Sequence, residues 1–223
     1  MLMTFEPQPR EYFAGTKLPA RLTRFREKVY LLDQTPLDRL LCLPFNDRTA
    51  NIEADWFAKD FVVDQVGAKH LVIGDDFRFG RGREGDFALF ERCGHIHGYS
   101  VSAMSTLLQG EARISSTLVR ENLAAGDFTA ATNLLGHEYF IMGRVVYGRQ
   151  LGRQLNVPTA NIRLQRYRAA LEGVYCVTVE GIAGAVRRGI ANIGVRPTVD
   201  GKEPLLEVHV FDYTGNLYGD LIK

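Results

Sequence analysis

Three stretches of this 223-residue chain combine residue types suited to phosphate and nucleotide chemistry. The richest is Gly143-Arg-Val-Val-Tyr-Gly-Arg-Gln-Leu-Gly-Arg-Gln-Leu-Asn-Val-Pro-Thr-Ala-Asn161, with glycines at 143, 148 and 152 and arginines at 144, 149 and 153. Thr159 and Asn161 are two apart, so an extended chain sets them on one face. Both offer neutral oxygen ligands, which suit a hard Mg²⁺ ion held beside phosphates. The plainer reading is a glycine-rich hairpin whose Thr and Asn only bond the backbone. Ile114-Ser-Ser-Thr-Leu-Val-Arg120 has hydroxyls where a helix should start. Unpaired N–H groups and the helix dipole favour an anion there, and Arg120 lies one turn on. A plain helix cap reads equally well.

The third stretch, Gly74-Asp-Asp-Phe-Arg-Phe-Gly-Arg-Gly-Arg-Glu-Gly-Asp86, follows an apolar strand signal. Ligands of open α/β sheets bind outside the carboxyl ends of the strands. Glycine permits close backbone approach there, and arginine matches phosphate geometry. The alternative is a charged turn with Phe77 and Phe79 folded back on the core. The stretch is not a P-loop, because GxxxxGK[ST] is absent. Leu205-Leu-Glu-Val-His-Val-Phe211 puts Glu207 and His209 on one face of a strand, with Leu206, Val208 and Val210 on the other. Glu207 could serve as a general base, but alternation alone favours the solvent side of a barrel strand. The remaining histidines show no metal-ligand spacing. His95 and His97 are read as surface residues on a possible strand, and Arg187-Arg188 as a solvated turn.

The elements that must position these residues change character along the chain. Over the first 130 or so residues, strand and helix signals alternate. Strands are expected at Met1–Phe5, Arg39–Phe45, His70–Gly74 and Gly98–Ala103. Helices are expected at Thr23–Asp33 (with Phe25, Val29 and Leu32 on its apolar side), Ala54–Val66 and Gly85–Cys93. This rhythm predicts a parallel sheet with helices on its faces. From Tyr139 onward, short strand candidates at Tyr139–Tyr147, Gly173–Val179, Ala185–Ile193 and Leu205–Phe211 alternate with glycine and proline. They predict a compact antiparallel barrel. Charge shifts too, from 16 basic against 18 acidic groups over residues 1–133 to 11 against 8 over 134–223. We place the domain boundary near Leu134–Glu138.

Composition narrows the function classes. The 27 basic and 26 acidic residues balance to a net charge of +1, which argues against a nucleic-acid coat protein. Cys42, Cys93 and Cys176 are widely spaced and form no CxxC pair, so neither a disulfide scaffold nor a zinc knuckle is expected. No 18-residue apolar run is present, and the start carries no signal-peptide pattern, so a cytoplasmic location is expected. Both ends read as a fragment, with Met1–Phe5 a strand from its first residue and Asn216–Lys223 opening an element that stops.

Seven segments in this order resemble the bacterial bifunctional riboflavin kinase/FMN adenylyltransferase (FAD synthetase) family. They are Met3-Thr-Phe-Glu-Pro-Gln-Pro9, Arg21-Leu-Thr23, Gly74–Gly80, Ile114–Thr117 with Arg120, Gly152–Asn161, Gly189-Ile-Ala-Asn-Ile-Gly-Val-Arg-Pro-Thr198, and Glu207-Val-His209 with Tyr218-Gly219. The resemblance implies an α/β Rossmann-like nucleotidylyltransferase domain over 1–133, followed by an antiparallel β-barrel riboflavin kinase domain over 134–223. It implies that ATP phosphorylates riboflavin to FMN and then adenylylates FMN to FAD. ATP, riboflavin and FMN would be substrates and Mg²⁺ the metal, with no nucleic-acid or membrane partner.

By the same resemblance, Gly152, Thr159 and Asn161 would hold ATP, with Thr159 and Asn161 on the metal, and Glu207 would be the base for the riboflavin hydroxyl. That reverses the preference from alternation at Glu207. Ser115, Ser116, Thr117 and Arg120 would meet ATP in the adenylyltransferase site, with Gly74, Phe77 and Gly80 beside it. Three departures stand out. The family's His-x-x-His motif is absent, and the family's closing strands and terminal helix lie beyond Tyr218-Gly219. Gln8 also stands where the family usually has histidine. Alternatives are a single-function kinase with a scaffold front domain, or a flavin- or nucleotide-binding fragment without turnover.

Overall fold

A computed structural model describes residues 1–14, 18–110, 112–148, 158–165, 168–198 and 201–223. The chain forms two compact units that are discontinuous in sequence. One contains Met1–Gly15 and Asp38–Arg113, the other Thr16–Leu37 and Ile114–Lys223.

The first unit is α/β. Strand β1 (Leu2–Glu6) leads to helix α1 (Pro9–Ala14), and β2 (Leu40–Pro44) to the short helix α3 (Asp47–Ala50). A helix then runs from Ala54 to Gln65, α-helical over Ala54–Trp56 (α4) and π-wound from Phe57. After β3 (His70–Gly74) come helix α5 (Phe87–His97) and β4 (Ser100–Met104). The pairs β1–β2 and β3–β4 are both parallel and form two separate two-stranded sheets. The core is aromatic. Phe57, Phe79 and Phe90 are buried, and the Phe79 and Phe90 rings stack at 4.0 Å between centroids. A hairpin of β5 (Leu108–Gln109) and β6 (Ala112–Arg113) ends the unit. The expected strand around His95 and His97 is instead the last turn of α5, where residues two apart point to different faces.

The second unit is an antiparallel barrel with helices packed on it. Its strands are β7 (Gly143–Val146), β8 (Ala160–Arg163), β9 (Gly173–Ile182), β10 (Ala185–Thr198), β11 (Gly201–Val210) and β12 (Leu221–Ile222), ordered β12-β7-β8-β11-β10-β9. The two edges meet where Glu180 and Lys223 exchange both backbone hydrogen bonds, at 2.7 and 3.1 Å. Alternation governs each strand. Ile162, Leu206, Val208, Val210, Ala191 and Ile193 point inward and are buried, and Ile190 points outward. Each fully buried Leu or Ile contributes about 1.5–3 kcal/mol relative to exposure. Arg187 and Arg188 lie in β10 beside a β-bulge and not in a turn.

Helices α6 (Ser116–Ala125) and α7 (Phe128–Leu135) bury Val119, Leu123, Ala131 and Leu134 in the barrel's own core cluster. Helix α2 (Phe25–Leu32) belongs to this unit as well, but not by the face expected. Val29 is 39% exposed, whereas Glu27 is 1% exposed. The Glu27 carboxylate accepts the Arg24 backbone N–H at 2.6 Å, which closes a capping box. It also accepts the Met142 N–H at 3.0 Å, just before β7.

Candidate functional site

Strand register assembles the residues of the barrel site. Asn161 of β8 pairs directly with Glu207 of β11, and Glu207 pairs on its other side with Asn192 of β10. Ile162, Leu206 and Ile193, each one residue away, form the adjacent inward row. Asn161, Glu207 and Asn192 therefore share the outward face. Directly opposed residues have Cβ atoms about 4.5–5.5 Å apart, so a carboxylate sits between two amides. Thr159 lies just before β8, and His209 follows two residues after Glu207 on β11. Asn192 had no assigned role in the sequence reading, because β10 lies about thirty residues from the Thr-x-Asn pair and only the ladder reveals the neighbourhood.

A cleft of about 410 Å³ opens at this end of the barrel. Pro158, Thr159, Ala160 and Asn161 form one wall, and the loop Tyr213–Tyr218 forms the other. Val145, Val208 and Val210 make its apolar floor. Glu207 is not on the cleft wall; it adjoins the cleft through Asn161. Asn161 is 6% exposed, and its Nδ2 donates to the Thr159 carbonyl at 3.2 Å. A Cβ on Gly148 would lie 2.5–2.6 Å from the Asn161 amide group, so the backbone at 148 lies directly against that side chain. Tyr147 stacks on Tyr218 at the same end, with centroids 3.9 Å apart. Gly152 lies outside the described residues.

The donors here are hard oxygens. Among the described residues, no group of three His, Cys, Asp or Glu side chains could hold a metal unaided. One or two protein oxygens completed by substrate phosphates is the usual way of holding Mg²⁺, and Thr159 with Asn161 fits that pattern.

The other predicted residues fall in two places. In the second unit, Ser115 caps α6, its Oγ accepting the Leu118 N–H at 3.2 Å. Ser116 and Thr117 are exposed in the first turn of this ten-residue helix, where free N–H groups and the dipole favour anions. Arg120 donates from Nε to the Ala20 carbonyl at 2.5 Å and from Nη1 to the Ser116 carbonyl at 3.0 Å. It thus anchors the segment before α2 as well as the start of α6.

In the first unit, Gly74 ends β3. Phe77 stacks on Phe79 and Phe90 at 5.9 and 6.4 Å, as part of the aromatic core. Gly80 has φ +74°, and a Cβ there would lie 2.7–2.9 Å from Ala54, so the loop crosses directly over the start of α4. Arg78 pairs with Asp86 and Arg81 with Glu53. The Asp86 carboxyl lies below its ordinary pKa, chiefly because it accepts the Leu89 N–H as the cap of α5.

Sequence reasoning also passed over an aromatic patch at the carboxyl ends of β1 and β2. Phe5, Tyr12, Phe13 and Phe45 meet edge to face at 5.0–5.8 Å, and Phe13 is 70% exposed. Its signal was present in the spacing of Phe5, Phe13 and Phe45, but only the parallel pairing of β1 and β2 brings these rings together.

Comparison with known proteins agrees with both halves. Residues 1–118 match the FAD synthetase family model and residues 135–223 the riboflavin kinase family model. A bifunctional riboflavin kinase/FMN adenylyltransferase of Escherichia coli K12 is 48% identical over 223 residues, covering all of this chain and 71% of that protein. The protein of that name from Haemophilus influenzae is 43% identical over 222 residues, covering all of this chain and 72% of the relative. The one from Pseudomonas fluorescens is 47% identical over 219 residues, covering 97% and 70%. A Streptococcus pneumoniae crystal structure described as a macrolide-efflux protein superposes with TM-score 0.73 at 28% identity, over 99% of this chain and 71% of that one. Among the described residues, no helix is long and apolar enough to cross a membrane. With both halves matched in order and such identity along its whole length, the chain belongs to the bifunctional riboflavin kinase/FMN adenylyltransferase family.

Proposed function

We propose that the barrel unit phosphorylates riboflavin to FMN and that the preceding α/β part takes part in adenylylating FMN to FAD, both from ATP in the cytoplasm. The two activities are assigned to 134–223 and 1–133 respectively, a division supported by the two family matches. The observation that carries the kinase reading is the register pairing Asn161 with Glu207, beside a cleft walled by Thr159 and Asn161.

Phosphoryl transfer leaves the protein chiefly positioning and electrostatic work. Thr159 and Asn161 would hold Mg²⁺ beside the ATP phosphates, where the ion would supply neutralising charge for phosphoryl transfer, and the Gly148 backbone keeps the Asn161 amide in place. Glu207 accepts the proton of the riboflavin 5′-hydroxyl, or orients that hydroxyl for attack, and Asn161 and Asn192 flank its carboxylate. In the second activity, the exposed Ser116 and Thr117 and the first-turn N–H groups of α6 receive ATP phosphates.

The test is Glu207→Gln. Riboflavin phosphorylation should fall about 10²–10⁴-fold, the range of a lost general base, while ATP affinity by calorimetry is kept. Wild-type turnover would remove Glu207 from the reaction. Pyrophosphate release from FMN and ATP measures the second activity separately.

A further inference from the structure

Where the β8–β11 ladder stops, a side chain takes over from the backbone. The last ladder pair is Ala160 with Val208. Thr159 lies just outside β8, and Pro158 has no N–H to extend the pairing. The His209 ring bonds the Pro158 carbonyl at 2.8 Å. A carbonyl only accepts, so His209 Nδ1 carries the proton and donates it. The His209 ring also meets the Phe211 ring edge to face, with centroids 5.7 Å apart at 70°. The segment fixed in this way is short and critical. Thr159 follows Pro158 directly, and the Thr159 carbonyl in turn receives Asn161 Nδ2. Pro158, Thr159 and Asn161 all line the cleft.

We propose that His209 is a positioning residue of the kinase site. Its Nδ1–H clamps Pro158, so that Thr159 and Asn161 are pre-set to receive a divalent cation bound to a nucleoside triphosphate. The role rests on the kinase reading above, but the clamp itself has a readout independent of activity. His209→Phe keeps a ring against Phe211 and removes the donor. His209→Asn keeps an N–H near the position of Nδ1.

The experiment uses the whole chain, with backbone amide hydrogen exchange at Thr159 and Ala160 measured beside riboflavin phosphorylation titrated with Mg-ATP. One net hydrogen bond corresponds to about 2- to 12-fold in an equilibrium. His209→Phe should therefore speed exchange at both amides and raise half-saturating Mg-ATP by factors in that range, with kcat within about twofold. His209→Asn should recover both toward wild type. Unchanged exchange in His209→Phe overturns the clamp, as does a His209→Asn chain that behaves like His209→Phe. Faster exchange with unchanged Mg-ATP half-saturation overturns its role in the kinase site. If wild type itself leaves riboflavin unphosphorylated, the kinase reading fails, and exchange alone decides the clamp.

Discussion

Replacing Gly148 by alanine tests the barrel site through a single methyl group. Its Cβ would sit 2.5 Å from Asn161 Nδ2, where ordinary contact begins at 3.4 Å, so something must move by about 0.9 Å. The backbone at 148 has no positive φ, so the effect is steric and not conformational. Asn161 is 6% exposed and has little room to retreat. Retreat would break its 3.2 Å bond to the Thr159 carbonyl, worth about 1 kcal/mol, on top of about 1–3 kcal/mol for overpacking. An ångström of misplacement at a site that works by positioning costs about 10²-fold. We therefore expect Gly148→Ala to lower kcat/KM for ATP in riboflavin phosphorylation by about that factor, with weaker Mg-ATP binding by calorimetry. Gly194→Ala is the control, because nothing lies within 4 Å of its Cβ and it sits on the same barrel. A Gly148→Ala chain within twofold of wild type would refute the view that the 148 backbone holds Asn161 in a working position.

Three further expectations follow from the packing. Glu27→Ala strands two backbone N–H groups, one of them on buried Met142, at about 1–3 kcal/mol each; scanning calorimetry should show the barrel unit melting well below wild type. Gly80→Ala meets the Ala54 backbone at 2.8–2.9 Å and carries an unfavourable φ of +74°, so it should destabilise the α/β unit and leave riboflavin phosphorylation within about twofold. Asp86 has a folded pKa below its ordinary 3.8, so its stabilising contribution is complete above that value and is lost as pH falls through the depressed one. The melting difference between wild type and Asp86→Ala should be full at pH 7 and close in strong acid.

Much of this molecule was legible because period-2 and βα patterns are local. The strands around Leu40–Pro44, His70–Gly74 and Leu205–Val210 could be seen in composition, and so could the shared face of Thr159 and Asn161. What alternation cannot supply is register between separate segments. Alternation alone put Glu207 on a solvent-facing side, and only the ladder shows that Asn161 and Asn192 flank it on that face. In the loop read for a ligand, Phe77 also packs in an aromatic core and Gly80 also clears the backbone of Ala54. Glycine and aromatic residues serve packing as readily as binding, and spacing alone does not separate the two. The apolar pattern of α2 pointed to Val29, because a buried carboxylate is legible only once the N–H groups it accepts are known.

The interleaving of the two units has a consequence for how the gene can be divided. A polypeptide ending at Arg113 would carry Thr16–Leu37 with it, although that stretch packs with the residues after Ile114. Glu27 would still seek Met142, and the Ala20 carbonyl would still seek Arg120. Two separately expressed halves would thus share a built-in splint, and recombination that swaps one catalytic half for a foreign one would have to replace a helix encoded inside the other.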